Sequence, residues 1–159
     1  MAEKVFEIAS SNPEAFIEWA LREMETDNPM IYEMVTISRK NYEAAGDKGA
    51  SILQFFACMV YCTIAEATPR KEIPVLSREV GEPVWSKVTG QTNPQLFREM
   101  IEEIRRENRG IIDMAGQCMH LAAKTLRISK EEAHHYAYAG LLVYYLLKKQ
   151  EEANSASLN

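Results

Sequence analysis

The sequence is poor in the residues that mark secreted, repetitive or disordered chains. Its 159 residues include only three cysteines, seven glycines and six prolines. An odd and small number of thiols disfavours a disulfide-bonded scaffold and predicts reduced cysteines. The few glycines and prolines, together with 47% hydrophobic residues, exclude collagen-like repeats and low-complexity segments. The length suits one domain, which we expect at residues 1–150, followed by a flexible tail at 151–159.

The chain also has no excess of basic residues. Lys and Arg total 18 against 23 Asp and Glu, which gives a formal net charge of -5. The whole excess lies in residues 1–50, which hold ten acidic and five basic residues. This balance disfavours a general phosphate-binding surface, so nucleic acid is an unlikely ligand. The N-terminus shows no basic stretch followed by an apolar one, and with reduced cysteines this predicts a cytoplasmic protein.

Long hydrophobic runs of the kind that cross membranes are missing as well. Residues 49–65 and 133–147 are free of charge, but they are only 17 and 15 residues long. A membrane-spanning helix needs about 20 apolar residues. Both runs contain polar side chains, among them Gln54 and His134. We therefore interpret both runs as core helices of a bundle and expect no contact with a membrane.

Helix start signals are frequent. Asn12, Asn28 and Asn93 each precede a proline, and an Asn N-cap followed by Pro is typical of a helix start. The spacing of Ser129 and Glu132 permits a capping box. These signals and the apolar periodicity predict helices over 13–25, 29–44, 48–67 and 130–150, with the nearly all-apolar helix 48–67 at the centre. We expect an all-α bundle of five to seven helices. Residues 68–92 are either a functional loop or a connection containing a short helix at 83–89.

A heptad pattern begins near Pro94 and predicts one long helix over 94–126. Apolar residues recur every seven positions in two registers, with one polar exception. The first register contains Phe97, Ile104, Ile111 and Cys118, and the second contains Ile101, Asn108, Ala115 and Ala122. The alternative is a pair of helices that separate near Asn108 and Gly110.

The heptad stripe is the strongest functional signal in the sequence. An Asn in such a stripe can pair with its own copy across a two-fold axis and fix the register of a homodimer. Alternatively, the stripe packs inside the chain and Asn108 bonds to the backbone. Our leading hypothesis is a non-catalytic helical adaptor or assembly subunit without a cofactor, which binds a protein partner and associates with itself. The predicted interface comprises Phe97, Ile101, Ile104, Asn108 and Ile111.

A second hypothesis is a metal-dependent helical enzyme. Glu131 and His134 have the Glu-x-x-His spacing that helix bundles use for metal ligands, and so do Glu132 and His135. His120 is the third candidate histidine, but a glutamine replaces the glutamate three residues before it. Acidic residues in a first helical turn also stabilise the helix dipole, which explains the two glutamates without a metal.

A third hypothesis is a small subunit of a nucleoprotein or viral assembly. Arg98, Arg105 and Arg109 fall near one face of the predicted long helix and could contact phosphates. Glutamates are interleaved with these arginines, which favours a solvated face with ion pairs. The sequence identifies no small-molecule substrate.

Overall fold

The structure, a computed structural model, describes residues 2–42, 47–68, 72–89 and 94–157. These residues form helices and contain no strand, so the predicted all-α bundle is confirmed. The described part has eight helices, more than the five to seven expected, because an N-terminal helix was not predicted and the long helix is divided. They are α1 (Ala2–Ser11), α2 (Pro13–Asp27), α3 (Pro29–Tyr42), α4 (Asp47–Ala67), α5 (Arg78–Thr89), α6 (Pro94–Glu107), α7 (Arg109–Leu126) and α8 (Lys130–Ser157).

The Asn-Pro pairs act as predicted at the starts of α2 and α3. The Asn12 side chain accepts a hydrogen bond from the backbone N–H of Ala15 at 3.3 Å. Asn28 ends one helix and begins the next, since its N–H donates to the Met24 carbonyl at 2.7 Å and its carbonyl accepts from Tyr32 at 3.1 Å. Each pair satisfies backbone groups that a helix end leaves without an intrahelical partner.

The core is built around α4 and α8, which form the most extensive helix–helix contact in the described chain. Gly140 makes this close approach possible, because a Cβ atom at that position would lie 2.4 Å from the Phe56 ring. Gly49 of α4 is likewise covered by the Tyr136 side chain of α8. Gly49 lies against Tyr136, and Phe56 lies against Gly140. The contacts advance in the same direction along both helices, so α4 and α8 run parallel. The prediction of a central apolar helix is confirmed.

One helix, Gly49–Ala67 within α4, is long and apolar enough to cross a membrane by length and composition alone. The mean hydropathy of this apolar segment is 1.5, and 56% of it is buried inside the protein. A helix wrapped by others in a bundle has the same composition, because all its faces meet apolar neighbours.

The prediction of one continuous helix over 94–126 is wrong. The backbone leaves the helical conformation at Asn108 (φ -150°, ψ 87°), and the Asn108 side chain accepts a hydrogen bond from the N–H of Ile111 at 3.4 Å. The Asn108 N–H donates to the Ile104 carbonyl at 2.7 Å and closes α6. The capping hydrogen bond of the Asn108 side chain, which contributes about 1 kcal/mol, outweighs the heptad pattern.

The connection before α5 is packed rather than loose where the structure describes it. Leu76 is buried, and the side chains of Asn28 and Gln150 bond to the backbone around it. Ser77 donates to Gln150 Oε1 from both its N–H and its hydroxyl group, each at 3.0 Å. Of the two alternatives for 68–92, residues 74–77 therefore fit a structural connection; residues 69–71 and 90–93 lie outside the described chain.

Residues 151–157, which the sequence analysis assigns to a flexible tail, continue α8. Side chains in the last turns support the helix: Gln150 donates to Asn154 at 2.9 Å, and Ser157 donates to the Ala153 carbonyl at 3.1 Å. Lys149 also pairs with Glu152 three residues later. Pairs at this spacing stabilise a helix even where the composition is polar. Residues 158–159 lie outside the described chain.

Candidate functional site

An open groove lies between α4 and α7. It has a volume of about 530 Å³. We call it the α4–α7 groove. Its lining consists of Phe55, Phe56 and Met59 from α4 and Ile112, Asp113, Met114, Gly116, Gln117, Cys118, His120 and Leu121 from α7. Most of these residues are apolar, which makes the groove a site for apolar groups.

The floor of the groove is buried and closely packed. Phe56, Met59, Met114 and Cys118 all belong to the hydrophobic core. Phe56 is held against Gly140 of α8, so the contact between α4 and α8 fixes the floor in position. Methionines in the floor add side chains that adapt readily to the shape of an apolar ligand.

The α7 wall follows from helical spacing. Six of the lining residues of α7 form three adjacent pairs, and successive pairs are four positions, or about one turn, apart. The pairs are Ile112 and Asp113, Gly116 and Gln117, and His120 and Leu121. Residues three and four apart share a helix face, so this wall is one continuous stripe. Leu121 is 44% exposed, which is high for a large apolar side chain.

Gly116 leaves open space on this wall. A Cβ atom at this position would have nothing within 4 Å, and the residue is exposed. Glycine in a helix interior costs about 1 kcal/mol relative to alanine. No atom of the described residues requires glycine here, in contrast to Gly140, where a side chain would strike Phe56.

An aromatic cluster extends from the groove onto α2. The rings of Phe55 and Phe16 are 5.8 Å apart in an edge-to-face arrangement, and Phe16 in turn contacts Trp19 at 6.4 Å. Trp19 is 51% exposed. Exposed large apolar side chains beside an apolar groove are typical of interaction sites.

The three cysteines are buried thiols with weak nucleophilicity. Burial raises the pKa of Cys118 to about 12. Burial, followed by the negative charges of Glu23 and Glu66, raises the pKa of Cys62 to about 12. The pKa of Cys58 is raised too, by burial and by Cys62. Because the thiolate is the reactive form, these residues do not supply a catalytic nucleophile at neutral pH.

The residues predicted as a self-association interface lie outside the groove, and two of them, Ile104 and Ile111, are covered by the chain itself. Ile104 and Ile111 are 1% and 2% exposed, and Ile101 is half-buried against the core. Asn108 caps α7 instead of facing a second copy. Phe97 belongs to α6, but its side chain is outside the described part. Ile104 and Ile111 are therefore core residues that offer no surface to a second copy, whereas Asn108 is exposed.

The predicted metal ligands are not brought together among the described side chains. Glu131 and His134 are exposed in the first turns of α8, and His120 is exposed on α7. Ser129 accepts a hydrogen bond from the N–H of Glu132 at 3.2 Å, as the capping signal predicted. The side chain of His135 is outside the described part.

A different acidic group does converge, in the contact between α6 and α8. Oxygens of Glu103, Glu107 and Glu152 lie within 4.8 Å of one another. Lysine ammonium groups occupy this cluster: Lys149 lies 2.8 Å from Glu103 and 3.3 Å from Glu152, and Lys148 lies 4.0 Å from Glu107. The lysines balance the carboxylate charges, so the cluster is an ion-pair network that joins the two helices.

The predicted phosphate-contacting arginines are exposed but do not share one helix. Arg98 and Arg105 belong to α6, whereas Arg109 begins α7 after the break. Arg105 pairs with Glu102 at 3.0 Å. An interleaved glutamate therefore reduces the local positive charge, as the sequence suggested.

Sequence reasoning missed the α4–α7 groove because the residues of its two walls are 53 to 66 positions apart along the chain. The available signal was an α7 face that combines exposed apolar residues with Gly116.

No protein-family model, no curated protein and no solved structure matches this chain.

Proposed function

We propose that this protein is a non-catalytic binding module that holds the apolar face of an amphipathic helix of another protein in the α4–α7 groove. The observation that carries the proposal is the groove itself, an open apolar channel with a volume of about 530 Å³. Recognition of an amphipathic helix needs a hydrophobic groove that accepts side chains at helical spacing. The stripe from Ile112 to Leu121 provides one wall of suitable periodicity.

A helix fits this groove better than a small molecule does. Small-molecule sites enclose most of the ligand surface. Here the rim residues Asp113, Gln117 and His120 are exposed, and the groove opens to solvent along its length. A linear occupant would cover the exposed Leu121 and extend the apolar contact towards Trp19.

Gly116 supports close approach of a backbone. Its exposed position costs helix stability and gains no internal contact. Glycine on a helix face permits a second helix to approach closely, because no side chain separates the two backbones. A helical occupant that lies across Gly116 would use this gap.

A second copy of the chain is a less suitable occupant. Ile104 and Ile111 of the stripe expected to mediate self-association are buried, and two chains of net charge -5 repel one another at low ionic strength. We therefore expect the isolated protein to be a monomer. Sedimentation equilibrium tests this, and a dimer abolished by Gly116→Phe would assign the groove to a second copy.

Filling the groove is the direct test. The probe is a labelled helical peptide with leucine on one face and glutamine on the other, titrated by fluorescence anisotropy. Gly116→Phe places a ring in open space at the groove wall and should weaken binding by about tenfold or more. Thr125→Phe is the matched control, since Thr125 is exposed and lies about 180° around α7 from Gly116.

We expect the wild type and the Thr125→Phe variant to bind the peptide with similar affinity. Equal binding by all three proteins would overturn the proposal, because the groove would then be irrelevant to the interaction. Failure of the wild type to bind would overturn it too. Circular dichroism and thermal unfolding verify that Gly116→Phe remains folded.

A further inference from the structure

The charge around the α4–α7 groove identifies the kind of helix that it would hold. We infer that the partner segment is a basic amphipathic helix, with lysine or arginine beside its apolar face. This inference rests on the proposed function and adds the chemistry of the partner.

The acidic excess of the whole chain lies in α1 and α2. Residues 2–27 contain seven acidic and two basic residues, a difference of -5 that equals the formal net charge of the protein. The acidic ones are Glu3, Glu7, Glu14, Glu18, Glu23, Glu25 and Asp27, and the basic ones are Lys4 and Arg22. The contact between Phe16 and Phe55 places α2 beside the groove, so the helix that carries five of these acidic residues adjoins it.

Two further carboxylates belong to the groove helices. Asp113 is part of the lining. Glu66 follows Met59 by seven residues on α4, which puts the two residues on the same helix face. Only three residues connect α7 to α8 and the two helices pack against each other, so they run antiparallel. Because α4 runs parallel to α8, the end of α4 lies near the start of α7. Glu66 and Asp113 therefore occupy the same end of the groove.

Basic residues of the chain balance only part of this charge. Arg22 pairs with Glu18 at 3.5 Å within α2. Arg109 and Lys124 lie on α7 about one turn beyond the two ends of the lining stripe. None of the described lining residues is lysine or arginine. An occupant with positive charge on the α2 side and at the Glu66–Asp113 end would therefore be favoured.

Three peptides test the inference: each has the same leucine face, with lysine, glutamine or glutamate on the polar face. At about 50 mM NaCl we expect the lysine peptide to bind about tenfold more tightly than the glutamate peptide. The difference should shrink at about 500 mM NaCl, since salt screens exposed charges. The glutamine peptide should be intermediate.

A pair of charge variants locates the effect. The Glu66→Gln/Asp113→Asn double variant should weaken binding of the lysine peptide by about fivefold. The Glu79→Gln/Glu82→Gln variant makes the same change in net charge on α5, which packs against α8, and should alter binding by less than about twofold. Equal losses in both variants would overturn the inference, because attraction would then come from net charge alone.

The two proposals fail in different ways. If all three peptides bind equally and Gly116→Phe still abolishes binding, the groove is a docking site without preference for basic partners, and only this inference is wrong. If the lysine peptide binds the Gly116→Phe variant as tightly as the wild type, the groove is not the site, and the proposed function is wrong.

Discussion

Asn28 and Leu76 are 48 residues apart in the sequence, and a buried hydrogen bond joins them. The Leu76 N–H donates to Asn28 Oδ1 at 3.0 Å, while Asn28 Nδ2 donates to the Pro74 carbonyl at 2.9 Å. Asn28 is fully buried and also caps two helices with its backbone. One amide side chain thus holds the connection before α5 against the junction of α2 and α3.

Asn28→Ala should destabilise the fold strongly. It leaves the buried Leu76 N–H and the Pro74 carbonyl without a partner, at about 1–3 kcal/mol for each group. We expect the free energy of unfolding to fall by about 3 kcal/mol, measured by urea denaturation. Asn12→Ala removes an exposed cap and should cost only about 1 kcal/mol. Equal losses in the two variants would show that Asn28 acts only as a helix cap.

Replacing Gly116 or Gly140, two of the helix glycines, by alanine should change the free energy of unfolding in opposite directions. Gly116→Ala adds a methyl group in open space and should stabilise the protein by about 0.5–1 kcal/mol. Gly140→Ala forces a methyl group against Phe56 and should destabilise it by about 1–3 kcal/mol. Thermal unfolding of both variants checks this. A loss of stability in Gly116→Ala would contradict the open geometry at the groove wall.

The buried thiols should make stability fall at alkaline pH. Burial raises the pKa of Cys62 and Cys118 from 9.0 to about 12, so the unfolded chain loses these protons first. The contribution of the two protonated thiols to the free energy of unfolding is complete below pH 9 and is lost as the pH rises towards 12. Each thiol should lower the free energy of unfolding by about 1.4 kcal/mol between pH 8 and pH 10.

Urea denaturation at several pH values measures this effect, with Cys118→Ala as the comparison. Removing one thiol should reduce the slope of stability against pH above pH 9, although alanine also leaves a small cavity that lowers stability at every pH. An unchanged slope would mean that Cys118 ionises as readily in the folded protein as in the unfolded chain. Reaction with a thiol reagent should likewise be slow until the protein unfolds.

The ion pair between Lys149 and Glu103 should contribute more than the pair between Arg105 and Glu102. Lys149 and Glu103 are 29% and 34% exposed and join α8 to α6, whereas Arg105 and Glu102 are 55% and 56% exposed within one helix. Partial burial lowers the pKa of Lys149, whereas hydrogen bonds to Glu103 and Glu152 raise it. The second effect is the larger, so the pKa of Lys149 lies above its usual value.

Lys149→Met should lower the free energy of unfolding by about 1 kcal/mol at low salt, and Arg105→Met by less than about 0.5 kcal/mol. The Lys149→Met effect should decrease at about 1 M NaCl, because salt screens the partly exposed charges. Urea denaturation at the two salt concentrations measures both variants. An effect of Lys149→Met that does not change with salt would indicate packing against Tyr145 rather than ion pairing.

Local chemistry in the sequence determined most of the helices. Asn12 and Asn28, each followed by proline, define helix starts that need no distant partner, because a cap satisfies backbone groups within its own turn. The apolar run in α4 likewise predicts a central helix, since a helix without a polar face must be covered on all sides. The end of α6 was ambiguous, because Asn108 favours a break and the heptad favours continuity.

Only the tertiary structure decided where the heptad stripe and the remaining apolar surface lie. Ile104 and Ile111 fit equally well inside the chain or against a second copy, and their periodicity is the same in both cases. The α4–α7 groove depends on how α4 and α7 pack against α8, and no local pattern encodes that arrangement. Periodicity records which faces of a helix avoid water, whereas the identity of the covering surface is fixed when all the helices pack together.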